Sequence, residues 1–146
     1  MLRDPFLLSR VVLRFRHGSD DLLAELSAIA LTPDGNLWLG SDELNTLERL
    51  SPVAPLVFAE HHSFAIRDFI PLFNDEDEID IEGLDYSDSY LWFTGSHCPT
   101  RKKPKGKNVE KDIARLAEVK TDLNRCILGR IPIVNGEPVR TGTDPQ

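Results

Sequence analysis

Leu26-Ser27-Ala28-Ile29-Ala30-Leu31-Thr32, Pro33-Asp34-Gly35-Asn36 and Leu37-Trp38-Leu39-Gly40-Ser41 follow one another without a break, and this stretch decides the fold class. Two runs of strand-forming residues flank a polar segment with Asp-Gly at its centre. Such a segment predicts a hairpin, because a type I′ turn needs positive φ at both central residues and Asp-Gly tolerates it. Working outward, Thr46-Leu47-Glu48-Arg49-Leu50 alternates as a third strand should. Pro52 and Pro55 interrupt the pattern, and Leu56-Val57-Phe58 supplies a fourth strand.

A second unit repeats the design. Asp80-Ile81-Glu82-Gly83-Leu84-Asp85-Tyr86 runs into the turn Ser87-Asp88-Ser89, and Tyr90-Leu91-Trp92-Phe93-Thr94-Gly95-Ser96-His97 returns. Both units place a Leu-Trp pair after the turn and a Gly-Ser pair at the strand end, about 54 residues apart. Cys126–Ile133 reads as a further strand and Asn135-Gly136 as a further tight turn. Between them, Val109, Ile113, Leu116 and Ala117 recur at helical spacing, which predicts a short amphipathic helix within Asn108–Lys120 with Asn108 as its N-cap. The fold class is therefore mainly β: two propeller-like blades of short antiparallel strands with one short helical insertion. Residues 1–146 form one segment, with repeat units at about 22–73 and 74–140. Two unrelated hairpins in a β-sandwich are the alternative. Trp38 and Trp92 are expected to pack between sheets.

Bulk composition narrows the function classes. With 40% hydrophobic and 28% charged residues the chain can bury a core. A net charge of -7 disfavours nucleic-acid and membrane-surface binding. No apolar run approaches the roughly 20 residues that cross a bilayer. Arg10 and Arg14 break up the apolar N-terminus, so Phe6–Phe15 reads as a strand rather than a signal segment, and a cytoplasmic location is expected. Cys98 and Cys126 lack metal-site spacing and read as free thiols.

The ordered set of motifs also resembles a family. Leu26–Gly35, Leu37–Glu43, Glu78–Leu84, Leu91–His97, Arg101–Lys107 and Asn124-Arg125 are similar to the bacterial family catalogued as domain of unknown function 3616, over nearly the whole chain. The shorter Glu82-Gly83-Leu84 is similar to a motif of the esterase-like phytase propellers. The resemblance implies a propeller-like fold that continues into further blades. A chain stopping at Gln146 then reads as truncated, with open sheet edges that favour self-association.

The candidate chemistry gathers at the second hairpin. In a regular strand Asp80 and Glu82 share a face about 7 Å apart. A two-residue Asp88-Ser89 turn sets Gly95 opposite Glu82 and His97 opposite Asp80. Asp80, Glu82 and His97 are therefore the candidate catalytic residues, with Asp80 and Glu82 able to hold a divalent cation such as calcium. Arg101, Lys102 and Lys103 in the basic run Arg101–Lys107 are candidate anion-binding residues, and that run lacks the aromatic residues that would stack on bases. The run is otherwise expected to pair loosely with nearby acids. His61 and His62, adjacent in a strand, should point to opposite faces and cannot simply chelate one metal. Asp75-Glu76-Asp77-Glu78 lacks the ligand spacing of an EF-hand loop. Two functions follow: a metal-assisted hydrolase of a phosphate or carboxylic ester, or a noncatalytic propeller module that binds a protein or a small anionic ligand.

Overall fold

The computed structural model describes residues 10–16 and 20–140. The chain is mainly β, in the order β1 (Val12–Leu13), α1 (Asp20–Ala24), β2 (Leu26–Leu31), β3 (Leu37–Ser41), β4 (Thr46–Ala54), β5 (Val57–Ala65), β6 (Ile81–Ser87), β7 (Tyr90–Gly95), β8 (Thr100–Arg101), α2 (Val109–Ala117), β9 (Val119–Lys120), β10 (Leu128–Val134) and β11 (Glu137–Pro138). Short 3-10 turns lie at Ile66–Asp68 and Leu123–Cys126. Of the strand expected at Phe6–Phe15, Val12–Leu13 is observed, and residues 6–9 lie outside the described residues.

Two sheets result. Strands β2 to β5 form an antiparallel meander, with β1 added in parallel beyond β5. The second sheet runs β6-β7-β10-β11 and is antiparallel throughout. The insertion between β7 and β10 carries β8, α2 and β9, and β8 pairs only with β9. Helix α2 starts where expected: the Asn108 side chain accepts from the Lys111 amide at 2.9 Å. Among the described residues no helix is long and apolar enough to cross a membrane.

The turns follow backbone chemistry more closely than composition. Asp88 and Ser89 both take positive φ, 51° and 65°, as do Asn135 and Gly136, and both pairs close two-residue hairpins. The Asp34-Gly35 turn differs from expectation, because only Gly35 is at positive φ (88°). Thr32 is the reason. Its hydroxyl donates to the Asp34 carboxylate and its amide donates to the Asn36 carbonyl at 3.0 Å, closing a wider loop. Pro52 does not end its strand either; β4 accommodates it with a register shift and continues to Ala54.

The two sheets pack face to face. Ala30, Trp38 and Leu47 from the first, with Ile66 of the 3-10 turn after β5, meet Ile81, Leu91, Phe93, Ile131 and Ile133 from the second, and each fully buried aliphatic side chain contributes about 1.5–3 kcal/mol. The sheets approach closely at Gly40, where a Cβ would stand 2.7 Å from the Ile81 side chain. The far face of the first sheet carries a smaller cluster of Leu37, Leu39 and Leu50 with Leu13 and Phe58. Trp38 is fully buried between the sheets, as expected. Trp92 is not. It points from β7 to the outer face, half-buried, with the Arg130 guanidinium 5.2 Å from its ring centroid. Strand alternation explains the difference, since Leu91 and Phe93 occupy the inward positions.

Candidate functional site

The run Asn74–Asp80 holds Asp75, Glu76, Asp77, Glu78 and Asp80 and no cation, so its folded form needs counter-charge from elsewhere. The 3-10 turn at Leu123–Cys126 supplies it. Asn124, fully buried, donates to the carbonyls of Asn74 (2.9 Å) and Asp77 (2.7 Å) and accepts from the Phe73 amide (2.9 Å). Arg125 then lays its guanidinium on the carboxylates: Nη1 bonds Asp80, Nη2 lies 3.1 Å from Glu78, and Nε lies 3.8 Å from Asp122. Lys120 bridges Asp77 (2.8 Å) and Asp122 (2.6 Å). The hydrogen bonds from Lys120 and Asn74 hold the Asp77 carboxyl below the ordinary aspartate range. The Lys120 ammonium, donating to Asp122 and Asp77, is correspondingly raised.

The close fit depends on Gly95. A Cβ there would stand 2.7 Å from the Ile79 carbonyl oxygen and 2.9 Å from the Arg125 carbonyl carbon. Two backbone bonds cross the same point, Gly95 N–H to Ile127 O and His97 N–H to Arg125 O, both 2.9 Å. The Gly95-Ser96 pair therefore marks a place where β7 passes directly against the Arg125 turn.

The hairpin register brings the expected residues together only in part. Leu91 pairs with Tyr86 and Phe93 with Leu84, as the two-residue turn requires. Beyond Gly83 the register shifts, so Gly95 lies opposite Ile81 and Glu82 sits in a bulge with its side chain exposed. Asp80 precedes the strand at φ 57°, outside the regular alternation. Its carboxylate meets Arg125, and His97, also left-handed at φ 54°, is exposed at the hairpin's end. Among the described residues no three His, Cys, Asp or Glu side chains are arranged to hold a metal ion.

The basic candidates are also partly committed. Arg101 Nη1 donates to the Leu116 carbonyl at 2.7 Å, and Lys102 pairs with Glu118. Lys103 contributes its carbonyl to Arg115 Nε at 3.0 Å and leaves its side chain exposed. The acids near Asp77 draw their cations from Lys120 and Arg125 rather than from the run Arg101–Lys107.

His61 and His62 do point to opposite faces. His61 is buried, with Nε2 2.6 Å from Glu48, while His62 is exposed. The Arg16 amide donates to His61 Nδ1 at 3.3 Å, which places the ring proton on Nε2, facing the carboxylate. Ser63 Oγ donates to the other Glu48 oxygen at 2.9 Å. Glu48 and His61 are buried while Ser63 is exposed, and the Ser63 hydroxyl faces the Glu48 carboxylate rather than the imidazole, whose Nδ1 is taken by the Arg16 amide. Cys98 and Cys126 are free and exposed.

Arg125 and Asn124 were legible as sequence motifs but carried no assigned role. The signal available was electrostatic, since an acidic run without internal cations must be matched by a cation brought from outside it. Residues 25–146 match the model of a family described as protein of unknown function (DUF3616). No curated protein and no solved structure matches the chain.

Proposed function

We propose, from the premise that the chain belongs to the DUF3616 family of proteins of unknown function, that it is a noncatalytic propeller-like module that binds a small anionic ligand. The observation carrying this reading is the engagement of Asp80. The carboxylate best placed to hold a cation is neutralised by the Arg125 guanidinium, which also engages Glu78 and lies near Asp122. A charge-assisted pair of this kind competes directly with a metal ion for the same oxygens.

Two further features support it. Trp38 faces the second sheet while Leu37 and Leu39 face away; on the corresponding strand of the second sheet, Leu91 and Phe93 face the first sheet while Trp92 faces away. Equivalent strands thus stack head to tail, as successive propeller blades do, and each sheet is a four-stranded meander at its heart. Charge is also segregated. Residues 100–120 hold eight Lys and Arg against three acids, while the remainder holds nine against 21. The positive insertion therefore stands on a strongly negative body, which suits capture of an anion at one place.

Metal-assisted hydrolysis of an anionic ester by Asp80, Glu82 and His97 is the second reading. What favours it is the left-handed backbone of Asp80 and His97 at one end of the hairpin, since strained conformations cluster at functional sites. Turnover of aryl phosphate and carboxylate esters, with and without calcium, separates the two. The binding reading expects no hydrolysis beyond that of an Asp80→Asn/His97→Ala variant. Calcium-dependent hydrolysis lost in that variant would overturn it.

A further inference from the structure

The insertion holds a concavity of about 640 Å³, within the range of small-molecule sites, whose rim carries Lys105, Lys107, Lys111 and Arg115. Four cationic residues from a loop and a helix line it. Lysines on a flexible loop would scatter, but here the loop backbone is fastened to α2. Asp112 accepts from the amides of Lys105 and Gly106, both at 2.8 Å, and Gly106 takes the left-handed conformation (φ 71°) that this turn needs. Arg115 Nε holds the Lys103 carbonyl at 3.0 Å, and Asn108 caps the helix on the Lys111 amide.

These bonds consume Asp112, the acid that lines the concavity, on backbone donors. They leave the lysine ammonium groups unclaimed. Among the described residues Lys105, Lys107, Lys111 and Arg115 form no ion pair, whereas Lys102 and Lys120 in the same insertion do.

We infer that this loop-helix crevice is a binding site for a polyphosphate, a ligand carrying two or more adjacent phosphate groups. A terminal phosphate carries about 1.5–2 negative charges near neutral pH, and an interior one, with a single ionisable oxygen, carries about one, so a chain of three balances four cations. No aromatic side chain lines the crevice, so nothing there stacks a nucleobase, which sets this ligand apart from nucleotides and nucleic acid. The site rests on the anion-binding reading above and moves the ligand contact from Arg101 and Lys102 to residues further along the insertion.

Titration calorimetry of the whole chain with sodium tripolyphosphate tests it, with poly-glutamate as the second probe. Tripolyphosphate should bind saturably, and affinity should fall about tenfold or more in Lys107→Gln/Lys111→Gln. Lys102→Gln should leave it unchanged, because that ammonium already pairs with Glu118. All three replaced side chains are exposed, and an unchanged circular dichroism spectrum verifies the fold. Affinity lost in Lys102→Gln but kept in the double variant would overturn the site. Poly-glutamate binding without tripolyphosphate binding would overturn the ligand class and leave the anion-binding reading standing. Binding of neither probe would overturn both.

Discussion

Replacing Gly95 with alanine adds one methyl group at the point where the second sheet meets the Arg125 turn. That methyl would press on the carbonyl oxygen of Ile79 and on the Arg125 carbonyl group, and backbone cannot swing aside as a side-chain tip can. Overpacking a close-packed site costs about 1–3 kcal/mol. Relieving it by moving β7 away would stretch the bonds from Gly95 to Ile127 and from His97 to Arg125, each contributing about 0.5–1.5 kcal/mol. By either route the expected loss is about 1–3 kcal/mol. Urea unfolding followed by tryptophan fluorescence measures it as a lowered midpoint at unchanged m. Gly83→Ala is the control, because its added methyl would meet only the Thr94 methyl, at 3.0 Å, and should cost less than about 1 kcal/mol. Equal effects from the two substitutions would refute the argument that the Arg125 turn is seated directly against β7.

His61→Leu strands the Glu48 carboxylate without its buried partner and should cost about 3–5 kcal/mol in the same assay; a loss below about 1 kcal/mol would mean that water reaches Glu48. Trp38→Ala should cost about 3–5 kcal/mol, whereas Trp92→Ala should cost clearly less, since half of its ring already meets solvent and Arg130; reversed magnitudes would overturn the assignment of inner and outer faces. The Asp77 carboxyl, followed by carbon NMR, should titrate below an ordinary aspartate and return towards it in Lys120→Ala. Because its folded value is lowered, the associated stabilisation is complete above the unfolded value and disappears as pH falls through the folded one. An unmoved midpoint in the variant would show that Lys120 is not the cause.

Strand placement was legible because it depends on local chemistry. The runs around Leu37–Ser41, Tyr90–Gly95 and Leu128–Val134, the Asp88-Ser89 and Asn135-Gly136 turns and the Asn108 cap each need only a few neighbouring residues. Trp92 shows where that reading stopped: its pattern matched Trp38, but which face of each sheet meets the other is a tertiary fact. The candidate site was less legible for a similar reason. The face shared by Asp80 and Glu82 assumed an unbroken strand, and one bulged residue at Glu82 changes every register beyond it. Arg125 lies 45 residues from Asp80, and no local periodicity signals a guanidinium arriving from that distance. The basic run was visible by composition, but only the bonds from Asp112 and Arg115 distinguish committed cations from unclaimed ones.

The most direct test of the proposed noncatalytic role is a calcium titration of the whole chain watched at the side-chain carboxyl carbons of Asp80 and Glu82. With Arg125 seated on Asp80, millimolar calcium should leave both signals where they are, apart from the small drift that ionic strength produces everywhere. A saturable shift of both together, at a concentration that leaves other carboxyls unmoved, would show that a cation displaces Arg125 and would contradict the account.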